Sequence, residues 1–274
     1  MTSLETLDVR EAWIDTMRGR IFAKAWGPVG TTAARAPLVL FHDSLGSVTL
    51  WRDLPERLAR ATGRGVLAYD RLGFGCSDPY PGALPPSFID DEAEGTFADV
   101  RNHFGLRHFV PAGHSAGGGM AVVAAGTYPE ASEALIVESA PVFVEDRTRE
   151  GLRQAKEFFA QPGQLDRLRK YHGSKAEWVL SAWIDTWLSP AFAAWRLDPY
   201  LPAVRCPTLV IHGKQDEYLS PRQAERIATL TTGPAETKLL PNSGHIPHQD
   251  HPETVIAAVA AFLGGLQAPV SSAT

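Results

Sequence analysis

Short apolar runs recur along the chain: PLVLFH at 37–42, GVLAYD at 65–70, HFVPAG at 108–113, ALIVES at 134–139 and TLVIHG at 208–213. Runs of this length without polar alternation suit strands covered on both faces, as in a parallel sheet. Between them the pattern turns helical, in LWRDLPERLARAT after the first run and AGGGMAVVAAGTYPE after the third, so strand and helix alternate. REAWIDT and RIFAKAW, separated by Met17-Arg18-Gly19, predict an antiparallel hairpin at the sheet edge. ETKLLPN at 236–242 adds a further strand, and a closing helix begins near Pro252.

The alternation breaks once, between Pro141 and Cys206. There EGLRQAKEFFAQPG, QLDRLRKYHG and SKAEWVLSAWIDTWLSP predict three helices, punctuated by Pro162-Gly163, Gly173 and Pro190. The pattern gives an α/β fold with a mostly parallel, eight-stranded sheet flanked by helices. Its core comprises residues 1–141 and 206–266, with a helical insertion over 142–205 after the sixth strand, and QAPVSSAT at 267–274 reads as a disordered tail.

The run ending at Gly113 leads into Gly113-His114-Ser115-Ala116-Gly117 and then a small-residue helix. A serine on a sharp strand-to-helix turn has strained backbone, and residues two positions either side must be small. A lone G-x-S-x-G arises by chance often enough to be weak, but its place between a strand and a helix is what the mechanism requires. Such a serine needs a base. Of nine histidines, His245 in Asn242-Ser243-Gly244-His245 is best placed, after the last strand and before the final helix. The acid orienting it should follow an earlier strand. Asp216, in HGKQD after the seventh, is favoured, and Glu138 at the end of the sixth is the alternative.

The blocks FHDSLGS, YDRLGFGCSD, GHSAGG, VIHGKQDEY and SGHIPHQDHPE, in this order, make the chain resemble the α/β-hydrolase superfamily from the first hairpin to the last helix. The resemblance implies the α/β-hydrolase fold, a Ser115-Asp216-His245 triad, and an oxyanion hole from the backbone N–H groups of Ser44 and Ala116. It also implies that residues 142–205 form a lid over the nucleophile. Trp183 and Trp187, four apart on one helix face, then either pack the lid onto the core or wall a substrate pocket with His42, Asp43 and His114. One departure stands out: the family's His-Gly opening to the oxyanion loop is here His42-Asp43. Either Asp43 turns away as an Asx-type turn residue, or it tunes a neighbouring substrate group. Asp70 and Arg71 fall in the family's structural D-R-x-G-x-G turn.

Composition narrows the function. A net charge of −5, from 31 acidic and 26 basic residues spread along the chain, leaves no basic stripe for nucleic acid. No apolar run reaches the roughly 18 residues of a membrane span. The absence of a signal-like stretch near the N-terminus predicts a cytoplasmic protein. Two cysteines, Cys76 and Cys206, are too few for a disulfide framework. His245, His248 and His251 lack the spacing of a metal site, and the chemistry needs no cofactor. The expected activity is hydrolysis of a carboxylic ester or lactone of a small, apolar or aromatic molecule. Carbon–carbon cleavage of diketone-type substrates, or a small-molecule receptor with vestigial hydrolysis, are the alternatives.

Overall fold

The computed structural model describes residues 7–266, so the segment 267–274 lies outside the described residues. Eight strands form one sheet: β1 (Val9–Thr16), β2 (Gly19–Trp26), β3 (Leu38–Phe41), β4 (Val66–Tyr69), β5 (Val110–His114), β6 (Leu135–Glu138), β7 (Thr208–Gly213) and β8 (Ala235–Leu240). Their spatial order is β1-β2-β4-β3-β5-β6-β7-β8. The first two strands form the expected antiparallel hairpin at one edge, β2 runs antiparallel to β4, and all remaining pairs are parallel.

Alternate residues of the central strands feed two cores. Val39 and Phe41 face one with Phe97 and Met120, whereas Leu38 and Leu40 face the other with Leu58 and Val259. A strand buried on both sides shows no polar alternation, which is why these strands read as continuous apolar runs. The flanking helices are α1 (Leu54–Thr62), α2 (Thr96–Phe104), α3 (Ala116–Thr127), α4 (Asp146–Phe159), α5 (Asp166–His172), α6 (Ala176–Leu188), α7 (Arg222–Leu230), α8 (Pro247–Asp250) and α9 (Pro252–Gly264). Helix α3 is buried over ten consecutive residues from Ala116 to Ala125, which explains its uniformly small and apolar sequence.

The three helices expected in the insertion are α4, α5 and α6. The chain leaves and re-enters the sheet side by side, because Phe143 bridges Arg196 and the Leu197 N–H donates to the Val142 carbonyl at 2.8 Å. No described helix is long and apolar enough to cross a membrane.

The strand order reverses at β3. Its connection runs to β4 on one side, whereas β5 begins the run toward β8 on the other. A crevice therefore opens at the carboxyl ends of β3 and β5, the usual place for a ligand in an open α/β sheet.

Candidate active site

Ser115 sits at this crevice, between β5 and α3, with φ 54° and ψ −126°. Two close approaches hold it there. A Cβ on Gly113 would lie 2.1 Å from the Gly117 carbonyl oxygen, and one on Gly117 would lie 2.0 Å from the Phe41 carbonyl oxygen. Only glycine fits at either position, so strand, turn and helix interlock and maintain the strained serine. The Ser115 N–H donates to the Glu138 carbonyl at 2.9 Å, tying the turn to β6.

His245 arrives on the loop after β8. Its Nε2 lies 2.9 Å from Ser115 Oγ and its Nδ1 2.9 Å from Asp216 Oδ2. An ionised carboxylate only accepts, so Nδ1 carries the proton and Nε2 is left to accept from the serine hydroxyl. Asp216 is buried, and its other oxygen takes the N–H groups of Tyr218 and Leu219 at 2.8 and 2.9 Å. Burial works to raise this carboxyl, yet the imidazole and the two N–H donors hold it below its ordinary value. The arrangement can take a proton from Ser115 and keep the resulting imidazolium beside a fixed negative charge.

Ser44 and Ala116 are both buried, and among the described residues neither backbone N–H donates to a protein acceptor. Buried N–H groups are rarely left alone, and two such donors at the crevice of Ser115 are suited to an oxygen that becomes negative there. The loop carrying Ser44 is pinned from three sides. Arg71 donates to the Asp43 carbonyl at 2.8 Å and, from its backbone N–H and Nε, to His42 Nε2 at 3.2 and 3.3 Å. His42 in turn donates from Nδ1 to the Asp43 carbonyl at 2.8 Å. Burial and the neighbouring Arg71 hold its pKa well below the ordinary value, so it stays neutral. Asp70 takes the Val48 and Cys76 N–H groups at 2.6 and 2.7 Å, so the D-R-x-G-x-G turn also braces the loop.

Asp43 divides its oxygens. Oδ1 accepts from the Leu45 N–H at 2.7 Å, the Asx-type contact, and Oδ2 faces His114 Nδ1 at 3.4 Å. Burial opposes its ionisation, but His114, His42 and the Leu45 N–H outweigh it and keep the carboxyl well below the usual range. His114 donates from Nε2 to the His245 carbonyl at 2.8 Å and so fixes the loop that carries His245. His245, His248 and His251 diverge, to Asp216, Glu138 and the Asn242 carbonyl respectively.

A cavity of about 430 Å³ opens over Ser115, with His42, Asp43, His114, Trp183 and Trp187 all in its lining. The two tryptophans are not equivalent. Trp187 is 4% exposed and packs on Phe88, Phe192 and Trp195 in the core, whereas Trp183 is half-buried and meets Tyr218 edge-on. Trp178 lies elsewhere, stacked on Tyr80.

Two residues of this site carried no recognisable signal. His172 of α5 accepts the Gly75 N–H at Nδ1 and donates from Nε2 to the Leu45 carbonyl, at 2.9 and 3.0 Å, joining the insertion to the loop of Ser44. Tyr218 places its ring 5.0 Å from that of His245. It stands within VIHGKQDEY, but its packing depends on residues far away in sequence.

A model of the Alpha/beta hydrolase family matches residues 38–258. The chain belongs to the alpha/beta hydrolase family. A proline iminopeptidase of Lactobacillus acidophilus is 31% identical over 112 residues, covering 40% of this chain and 38% of the peptidase. The chain thus spans well under half of that relative's length. The mouse (Mus musculus) sn-1-specific diacylglycerol lipase ABHD11 is 26% identical over 262 residues, 84% of this chain and 82% of the lipase. Among solved structures, a thermophilic esterase from Thermogutta terrifontis superposes with a TM-score of 0.71 at 23% identity, covering 94% of this chain and all of the esterase (100%). The 2-hydroxy-6-oxo-6-phenylhexa-2,4-dienoate hydrolase of Rhodococcus sp. strain RHA1 gives 0.74 at 17% identity, covering 95% and 100%. At such identities these structures share the fold of this family member, and their activities remain their own.

Proposed function

We propose that this protein hydrolyses carboxylic esters or lactones of small, apolar or aromatic molecules through an acyl intermediate on Ser115. The observation that carries this reading is the unbroken Asp216–His245–Ser115 relay beside the buried N–H groups of Ser44 and Ala116, which have no acceptor among the described residues. Ser115 Oγ attacks the carbonyl carbon as His245 Nε2 takes its proton, and the carbonyl oxygen becomes negative between the two N–H donors. The carbon–oxygen bond then breaks, and His245 returns the proton to the leaving alcohol. Water repeats the sequence on the acyl-serine, giving its proton to His245 and releasing the acid and free Ser115. In this reading residues 142–205 act as a lid, and Trp183 forms part of the substrate wall.

The ester bond named for the mouse lipase and the Thermogutta esterase supports this choice, whereas the peptidase match covers too little of either chain to carry a peptide substrate over. The test is hydrolysis of nitrophenyl esters of graded chain length, aromatic esters and lactones by wild type and Ser115→Ala. Ester or lactone turnover at least about 10³-fold above the variant is expected. Cleavage confined to a diketone in the same panel would move the reading to carbon–carbon hydrolysis. Tight binding without turnover would make the protein a receptor.

A further inference from the structure

Tyr218 has a second neighbour besides His245. Helix α4 crosses its ring at Gly151, where a Cβ would stand 2.7 Å from Tyr218 Cδ1. Glycine inside a helix is unfavourable relative to alanine, so this close approach stands against helix propensity. On the far side lies a second cavity, of about 470 Å³, between α4 and the loop carrying Glu217 and Tyr218. Leu45, Trp183 and Tyr218 line both this cavity and the one over Ser115, so the two spaces share a three-residue wall. Ala155, Phe158 and Phe159 give the second cavity an apolar stretch of lining, beside the polar Arg147, Glu150, Gln154 and Glu217. Phe158 is 37% exposed, a large apolar side chain left partly open to solvent.

We propose that this second cavity is a subsite for the apolar leaving alcohol of the ester, reached across the shared wall of Leu45, Trp183 and Tyr218. The proposal rests on the hydrolase reading above. The leaving oxygen must receive its proton from His245 Nε2, and of the two rings 5.0 Å from that imidazole, His114 and Tyr218, it is Tyr218 that also lines the second cavity. The substituent on the leaving oxygen is therefore directed toward the shared wall, whereas the carbonyl oxygen is directed toward Ser44 and Ala116. An alkyl or aryl chain on the alcohol side gains apolar contact with Phe158 and Phe159. Gly151 is then a positioning residue, since its missing side chain lets Tyr218 sit where the wall forms.

The test compares kcat/KM for octyl acetate and ethyl acetate, read by acid release, with ethyl octanoate against ethyl acetate as the matching acyl series. Ala155→Trp, which fills the second cavity, lowers the octyl-to-ethyl ratio of the alcohol series by about tenfold or more, and changes the acyl ratio far less. Phe158→Ser, at a partly open position where unfolding is not at stake, moves the alcohol ratio the same way. Gly151→Ala displaces Tyr218 and alters the alcohol ratio as well. An alcohol ratio unchanged in both Ala155→Trp and Phe158→Ser overturns the proposal, as does a fall confined to the acyl series. Calorimetric titration of 1-octanol into Ser115→Ala, with and without Ala155→Trp, requires no turnover. Octanol binding weakened about tenfold by the tryptophan supports the subsite even if no ester is cleaved, and binding indifferent to it rejects the subsite even if esters are.

Discussion

Glu138 Oε1 takes both the backbone N–H and the ring Nδ1 of His248, at 2.7 and 2.8 Å. The acid at the end of β6 is thereby engaged with a histidine three residues beyond the proposed base, whereas Asp216 meets the ring of His245 and Glu217 takes only its backbone N–H. Burial would raise Glu138, but His248 and the neighbouring His114 hold it below its ordinary value. The pair acts as a clamp on the loop that delivers His245. Asp216→Asn is expected to cut kcat/KM by about 10²- to 10⁴-fold, because the amide permits the wrong imidazole tautomer. Glu138→Gln should cost under about tenfold in rate but lower the melting temperature, since a buried charge partner is lost. Steady-state kinetics and thermal melts of both variants decide it. A crippled Glu138→Gln beside a mild Asp216→Asn would exchange the two roles.

Ser115 and His245 should behave as one unit. Each single alanine variant is expected to lose about 10³-fold or more, and the double variant little beyond either. Multiplicative losses in the double variant would mean that the two side chains act independently.

His172 braces the loop of Ser44 from the insertion. His172→Phe keeps the ring volume and removes both hydrogen bonds, so kcat should fall by about tenfold with KM little changed, as the N–H donor loses its fixed position. A rise in KM alone would show that His172 shapes substrate binding and leaves the donor where it was.

Glu92 sets a pH dependence away from the site. It is buried, accepts from the Tyr69 hydroxyl at 2.6 Å, and burial pushes its carboxyl up to about 7. The folded chain therefore holds a proton that the unfolded chain releases near the ordinary 4.5. The native state binds more protons between these values, so stability falls as pH rises across that window. Glu92→Gln, neutral throughout, should lose less melting temperature than wild type between pH 5 and pH 8. An equal change in both proteins would show that Glu92 ionises in the folded chain as readily as in water.

What could be read from the sequence was whatever had a local pattern. Strands β3 to β7, covered on both faces, announce themselves as apolar runs, and the three insertion helices by their period and punctuation. The residues that converge at the crevice, Ser115, His245 and Asp216, are found because each stands at a strand end. Helices α2 and α7 escaped notice, although α7 buries Gln223, Ala224 and Ile227 with the spacing of one helical face. His172 could not be found from spacing, since its partners Gly75 and Leu45 are 97 and 127 residues distant. Trp183 and Trp187 share a helix face by spacing and both line the cavity, but only the packed structure shows Trp187 buried against Phe192 and Trp195 and Trp183 half-buried beside Tyr218. Asp43 illustrates the same limit: its Asx-type contact to Leu45 is local and foreseeable, its approach to His114 is not.

The insertion departs from and returns to neighbouring strands, for Glu138 and Ile211 are register partners on β6 and β7. Closing a loop whose ends are already adjacent costs only about 0.6 kcal/mol more for each doubling of its length. The intervening helices can therefore lengthen, shorten or be exchanged while the two strands stay paired and the relay keeps its spacing. Gly151 and Trp183 travel with that cassette, Ser115 and His245 with the frame, so under the proposed function selectivity and reactivity can be inherited separately.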